Sequence, residues 1–370
     1  MGWNKTPVSE RLDIEYPIIQ GPFGGNISTL DLLSVVSNAG GMGSFGAHML
    51  APDEIISRVA NAKLRTDKAF NFNLWVSNDG DTVDGRPSDR VSVQDVLTNL
   101  DPKVFDRGLS LFKPFYDELG IAYPSYPERI TPRFDEQMEA ILEARPPVFS
   151  FVFGIPEKKI LDACQQRDIT TLGAATTFDE ARALAEEGVD IVLATGFEAG
   201  GHRVSFLKPA QQSLMSTHAL VRQINYRLDI PLIAAGGIAD ARGIAAAQIA
   251  GADAVQIGTA FLACRESGAS EVHKQALFSE RAHETVLSCN YTGRLARFIP
   301  DEFIDAIDRS QDLPLPYPLH SFFVAPIKAA AAVEGNAEFS SLYAGQGAPL
   351  LQHRDAGSLM AALVEQLNSY

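Results

Sequence analysis

The chain has 370 residues, of which 46% are hydrophobic, and a formal charge of −15 at neutral pH. That length and apolar fraction suffice for one large α/β domain, alone or with an appendage. The acidic balance excludes nucleic acid and anionic membrane surfaces as partners, since both demand basic patches, and no apolar run approaches the ~18 residues of a membrane helix.

Taken in chain order, short apolar runs alternate with helical patterns. Residues 16–20 form the first candidate strand, and Gln20-Gly-Pro-Phe-Gly-Gly25 ends it with glycines that suit either a ligand across a barrel mouth or a plain turn. A helix over 29–38 stops at Gly40-Gly41, before a strand at 43–45. Gly41-Met-Gly43-Ser-Phe-Gly46 matches GxGxxG, but it follows a helix and enters a strand, the reverse of a dinucleotide site. After a helix over 52–62, the strand at 69–75 carries Asn71 and Asn73 on one side. Two amides inside an apolar barrel need partners, at roughly 1–3 kcal/mol for each unpaired group. A ligand with paired donors and acceptors, such as a flavin ring edge, would provide them for Asn73, and so would backbone groups.

Residues 77–132, rich in Pro, Asp and aromatics, separate this strand from its helix at 135–144. An excursion of that length in a barrel usually covers the catalytic face. Strands at 148–153, 169–173 and 190–194 then alternate with helices at 157–167 and 178–187. The segment Asp190-Ile-Val-Leu-Ala-Thr-Gly-Phe-Glu-Ala-Gly-Gly-His202 is the most informative of the chain. A buried strand opens there into glycines, and His202 places an imidazole that titrates near neutrality beside them.

A helix over 214–228 leads to a strand at 231–235, and a helix over 240–250 to one at 254–257. These strands end in Ala234-Ala-Gly-Gly-Ile238 and Val255-Gln-Ile-Gly-Thr259. Loops after the last two strands of a TIM barrel commonly hold a phosphate on backbone N–H groups. Gly236, Gly237 and Gly258 would let the backbone reach it and Thr259 would add a hydroxyl, although the glycines also suit tight turns alone. Eight strands alternating with helices predict an α/β fold, a TIM (β/α)8 barrel over residues 1–263 with the long insertion at 77–132. Beyond 263 the rhythm stops, and helices over 271–284, 322–334 and 356–367 predict a smaller α-helical domain packing on the barrel.

Neither HExxH nor a His/Asp/Glu cluster argues for a metal. His48, His218, His273, His283, His320 and His353 are scattered and read as ordinary. Cys164, Cys264 and Cys289 form no CxxC unit, and Cys264 and Ser267 have no evident base beside them. With no secretory h-region at the amino end, a reducing cytoplasm is the expected setting.

The order of these motifs resembles the nitronate monooxygenases, formerly 2-nitropropane dioxygenases, and their class I most of all. The resemblance runs through Gln20-Gly-Pro-Phe23, Ser37-Asn-Ala-Gly-Gly-Met-Gly-Ser44, Asn71-Phe-Asn-Leu74, Ser150-Phe-Val-Phe-Gly-Ile-Pro156 and Glu198-Ala-Gly-Gly-His-Arg203. It continues through the two glycine-bearing strand ends to Thr292-Gly-Arg-Leu-Ala-Arg297, Pro316-Tyr-Pro318 and Ala344-Gly-Gln-Gly347. It implies an FMN-binding TIM barrel with a helical domain over the mouth. Gly236, Gly237, Gln256, Gly258 and Thr259 would hold the FMN phosphate, Phe23, Asn73 and Gly200 would lie near the ring, and Pro22, Thr195 and Ile257 complete the cofactor-binding set. His202 matches the family's catalytic histidine. The implied reaction oxidises an alkyl nitronate, such as propionate 3-nitronate, with O2 and FMN to a carbonyl compound and nitrite.

Three departures stand out: Thr195 where the family usually has Gln, Phe23 where Met is usual, and Val204 where Gly is usual. Thr195 bears on flavin tuning and Phe23 and Val204 on substrate space, so together they bear on the substrate more than on the cofactor. Single motifs are shared with the FMN-dependent enoyl-acyl-carrier-protein reductases, which use NAD(P)H. That activity, and a non-catalytic flavin-binding protein, are the alternative readings.

Overall fold

The computed structural model describes residues 2–25, 27–76, 101–126, 134–310 and 312–369. Eight strands alternate with helices: β1 (Ile18–Gln20), β2 (Gly43–Gly46), β3 (Phe70–Trp75), β4 (Val148–Val152), β5 (Thr170–Ala175), β6 (Ile191–Thr195), β8 (Leu232–Ala235) and β9 (Ala254–Ile257). A short β7 (Gly201–His202) stands outside this set. The eight pair in parallel in the order β1-β9-β8-β6-β5-β4-β3-β2. A parallel bridge between Ile19 and Met42, where the Gln20 N–H donates to the Met42 carbonyl at 2.9 Å, carries β1 round to β2. The architecture is the TIM (β/α)8 barrel that the alternation predicts.

The strands read as near-continuous apolar runs because both faces are covered. Ile19, Val148, Leu172, Ile191, Leu193, Ile233 and Ala254 point inward and join Val8, Leu12 and Ile14 of the amino-terminal segment in an inner core. Phe72, Phe149, Phe151, Val192, Val255 and Ile257 face the surrounding helices. The helix Pro7–Leu12 therefore plugs the end of the barrel where the strands begin, which leaves the other end for a site.

Local signals set the helix ends. Thr29, Thr177 and Asp240 accept from N–H groups of the first turn, and Gly251 closes its helix at φ +108. The helix expected from 214 begins instead at Thr217, because the Ser216 side chain caps it by accepting from the Ala219 N–H.

Beyond residue 263 the chain is not wholly helical. β10 (Val286–Ser288) and β11 (Ala296–Phe298) pair antiparallel, and β11 pairs with β7. Strands of three residues are too short to show a two-residue period. Their partner also lies far earlier in the chain. A second core gathers Phe105, Phe112 and Phe115 of the helix Pro102–Glu118 with Phe303 and Ile307 of Glu302–Ser310 and Phe323 of Leu319–Glu334. The Tyr116 hydroxyl donates to the Phe323 carbonyl at 2.7 Å. The excursion after β3 and the late helices thus share one core; its other parts, 77–100 and 127–132, lie outside the described residues. The last helix, Ala356–Leu367, returns to the barrel and buries Leu359, Met360 and Leu363 in the helix layer. Among the described residues no helix is long and apolar enough to cross a membrane.

Candidate active site

The strand ends opposite the plug surround a polar floor. Strand alternation turns Ser44, Asn71, Asn73, Ser150, Thr195 and Gln256 into the barrel. The two asparagines face the same way, as the sequence suggests, and neighbouring hydroxyls take their donors. Asn71 Nδ2 donates to Ser44 Oγ at 3.1 Å and Asn73 Nδ2 to Ser150 Oγ at 2.9 Å. Asn71 Oδ1 is enclosed with no partner. Asn73 Oδ1, the Thr195 hydroxyl and the Gln256 amide also lack hydrogen-bond partners among the described residues, but they are not enclosed. A layer of unpaired polar groups in an otherwise apolar barrel suits a flat ligand carrying both donors and acceptors.

The loops after β8 and β9 border this floor. Gly236 and Gly237 have φ of +121 and +71, conformations that favour glycine. Beyond β9, Gly258 faces open space, with the Phe23 ring its nearest neighbour at 3.9 Å from an added Cβ, and Thr259 opens the short helix Thr259–Leu262. The N–H groups of Gly237, Gly258 and Thr259 donate to no acceptor among the described residues. Such oriented backbone donors form a concavity for an anion. Half-buried Pro22 and Phe23 line the end of β1, where Ser28 Oγ accepts from the Phe23 N–H at 3.0 Å and donates to its carbonyl at 2.8 Å. The side chain of Ile257 packs toward the helices, so only its backbone borders the mouth.

The segment 344–347, a motif with no role assigned from sequence, ties these loops together. The Gly345 N–H donates to Thr259 Oγ1 at 2.9 Å, and the Gln346 N–H donates to the Glu198 carbonyl at 2.9 Å. A Cβ on Gly200 would meet Ala344 C at 2.6 Å, and one on Gly347 would meet the Gly237 carbonyl oxygen at 2.6 Å. Glycine is needed at both because backbone packs against backbone.

His202 reaches the mouth on β7, in register with Ala296 of β11, and the next N–H, of Arg203, donates to the Leu295 carbonyl at 2.8 Å. Behind it Arg203 is buried and donates to the carbonyls of Thr195 at 3.1 Å, Gly196 at 2.6 Å and Ser213 at 3.0 Å. The Glu180 carboxylate accepts from the N–H groups of Phe206 at 2.7 Å and Leu207 at 3.1 Å. The loop carrying the histidine is thus pinned from both sides. Replacing Arg203 by Met removes this donor from three buried carbonyls, of which Gly196 keeps the Ala199 N–H at 3.2 Å, and urea denaturation should show a loss of roughly 2 kcal/mol or more. An unchanged midpoint would contradict this role.

Around the half-buried His202 ring stand Trp75, edge-on at 5.0 Å between centroids, Tyr343 at 5.9 Å and Phe153 at 6.2 Å. His48 lies flat on Trp75, 4.0 Å away with an interplanar angle of 2°. The Arg294 guanidinium sits 4.1 Å from the ring centroids of both Phe153 and Tyr317, a cation held against aromatic faces. Burial, helped by electrostatic repulsion from Arg294, His48 and Lys328 toward the protonated ring, draws the His202 pKa down to about 3. Burial and Arg294 do the same to His48, also to about 3. Both imidazoles are neutral at physiological pH. A bound anion beside His202 would draw its pKa back up.

Sequence reasoning gave no site role to Trp75, Phe153, Thr292, Arg294, Tyr317 or Tyr343, although four of them stand in the motifs of the resemblance, and it read His48 as ordinary. A signal existed for some of them: Trp75 ends β3, while His48 and Phe153 follow β2 and β4 closely, where a barrel builds its site. Burial raises the Cys164 and Cys264 thiols to about 12, which suits inert packing residues. Among the described residues no group of His, Cys, Asp and Glu could hold a metal ion.

A family profile described as Nitronate monooxygenase matches residues 5–366. The chain belongs to that family. A protein of Staphylococcus saprophyticus named "Probable nitronate monooxygenase" is 34% identical over 98% of both chains. One of Staphylococcus haemolyticus with the same name is 34% identical over 99% of this chain and 98% of its own. Among solved structures, nitroalkane oxidase from Streptomyces ansochromogenes is similar over 98% of each chain, with a TM-score of 0.85 and 30% identity. FabK from Thermotoga maritima matches with a TM-score of 0.73 and 25% identity, over 99% of this chain and 96% of its own. The protein is an enzyme of an oxidoreductase family that acts on nitronates.

Proposed function

We propose that this nitronate monooxygenase family member binds FMN and oxidises small alkyl nitronates, propionate 3-nitronate among them, with O2 to a carbonyl compound and nitrite. The observation that carries the reading is the polar floor, where Asn73, Thr195 and Gln256 offer unpaired groups between His202 and the unpaired N–H groups of Gly237, Gly258 and Thr259. The donor set fits the group: backbone amides and the Thr259 hydroxyl for a phosphate, side-chain amides and a hydroxyl for the edge of a ring. Gly236 would let the phosphate loop turn, and Pro22, Phe23 and Gly200 would border the ring. When bound, FMN supplies the electron-accepting chemistry.

The chain's own residues favour a substrate that arrives as an anion. Arg294 provides a fixed positive charge against an aromatic wall, where a delocalised nitronate is stabilised. Beside a bound anion the His202 pKa is drawn up, and a ring protonated at Nδ1 would add an N–H donor to the nitronate. A nitronate needs no proton removed; a neutral nitroalkane does, and a base drawn down to about 3 is a weak one.

This lowered pKa predicts a pH dependence. For a neutral nitroalkane, kcat/KM requires unprotonated His202, so its acid limb should lie well below pH 6, because the folded-state pKa lies below the ordinary imidazole value. Replacing Arg294 by Gln removes a charge that opposes protonation and should move the limb toward neutrality. A limb near 6.5 in the wild type, or one unmoved in the variant, would contradict the assignment.

Nitrite release and O2 uptake with propionate 3-nitronate, measured without NAD(P)H, test the function as a whole. Turnover supports it. Absence of nitrite, together with NADH-dependent reduction of an enoyl thioester, would favour the reductase reading.

A further inference from the structure

His202 Nε2 lies 3.0 Å from Thr292 Oγ1. The same hydroxyl lies within a tight turn: it is 3.1 Å from the Arg294 carbonyl, to which it donates, and it accepts from the Arg294 N–H at 3.2 Å. A threonine hydroxyl has one proton and two lone pairs. With the proton on the Arg294 carbonyl and one lone pair on the Arg294 N–H, a single lone pair remains for the imidazole. Only an Nε2–H satisfies all three contacts together. If Nε2 carried the lone pair, the hydroxyl proton would have to serve two acceptors.

The backbone makes this contact persistent. Thr292 is buried, Gly293 turns at φ +83, and an added Cβ there would meet the Leu315 carbonyl at 2.4 Å. Four residues beyond Thr292, Ala296 pairs with His202 across β11 and β7. Thr292 and His202 are thus held by one ladder. Nδ1 of His202 has no hydrogen-bond partner among the described residues, and it is not among the enclosed unpaired atoms.

We propose that Thr292 is a positioning residue that fixes His202 as the Nε2–H tautomer and so presents Nδ1 as the ring's single proton-accepting atom. The functional consequence rests on the reading of His202 as the group that meets substrate; the tautomer itself does not. In the reaction with a neutral nitroalkane, the α-carbon–hydrogen bond breaks, its electron pair passes into the nitronate, and the proton bonds to Nδ1. The resulting imidazolium keeps Nε2–H on Thr292, so no rotation of the ring is needed.

Ring-¹⁵N-histidine labelling of the FMN-loaded protein tests this, with the His202 signals identified by their loss in His202→Asn. The expected result is a protonated Nε2 and an unprotonated Nδ1 at pH 7. Thr292→Val should produce a mixed or reversed tautomer and lower kcat for nitroethane about tenfold or more, with KM less affected and the acid limb displaced. The charged and titratable groups acting on the ring, Arg294, His48 and Lys328, remain in place in that variant. Thr292→Ser keeps the hydroxyl and should restore the wild-type ring signals.

Protonated Nδ1 in the wild type, or unchanged ring signals and pH profile in Thr292→Val, would overturn the proposal. If Thr292→Val fails to fold, the wild-type and Thr292→Ser spectra still decide it. Confirmed ring signals without any turnover of nitro compounds would sink the proposed function and leave the tautomer standing.

Discussion

His202→Asn should lower kcat/KM for nitroethane by about 10²–10⁴-fold, the usual contribution of a positioned proton acceptor. It should lower kcat/KM for the preformed ethyl nitronate less, by roughly ten- to a hundredfold, the worth of a charge-assisted hydrogen bond from the ring once the bound anion has drawn a proton onto Nδ1. The contrast follows from chemistry: one substrate must lose a proton at the site and the other has already lost it. The visible spectrum of bound flavin should persist in the variant, because the unpaired N–H groups of Gly237, Gly258 and Thr259 are untouched. Equal losses for both substrates would show that the imidazole serves only to bind. No loss for either would remove it from the chemistry.

Gly347→Ala should weaken FMN binding by roughly tenfold or more. Its new Cβ would lie 2.6 Å from the Gly237 carbonyl oxygen, closer than real Cβ atoms approach, so the backbone must give way. Backbone strain of that kind costs about 1–3 kcal/mol, and 1.4 kcal/mol is about a factor of ten in affinity. The loop that moves is the one that would hold the phosphate. Gly357→Ala is the control: its Cβ would have its nearest neighbour at an ordinary 3.6 Å, on the helix Ala356–Leu367. Fluorescence quenching of FMN titrated with apoprotein reads both. Equal affinities for the two variants would place the phosphate elsewhere.

The barrel was legible in the sequence because its strands are short apolar runs separated by helices with clear caps and glycine stops, and 254–257 falls on β9 residue for residue. The glycine turns after β8 and β9, and the two inward amides of β3, were legible because their chemistry depends on local spacing. What escaped was built from distant pieces. His48 and Trp75 are neighbours only because β2 and β3 pair side by side. Thr292 meets His202 only because β11 pairs with β7, and neither short strand has a pattern of its own. Gly345 and Gly347 matter through backbone contacts with loops that precede them by a hundred residues or so in the chain. Side-chain type announces a titratable group; only the tertiary pairing shows which groups share a wall.

Anaerobic mixing of the FMN-loaded enzyme with propionate 3-nitronate, followed at the flavin's visible absorbance and repeated with NADH, tests the central claim most directly. A nitronate-oxidising site should lose or alter its flavin absorbance on addition of the nitronate and leave it unchanged with NADH. Prompt bleaching by NADH, with a spectrum indifferent to the nitronate, would contradict the account.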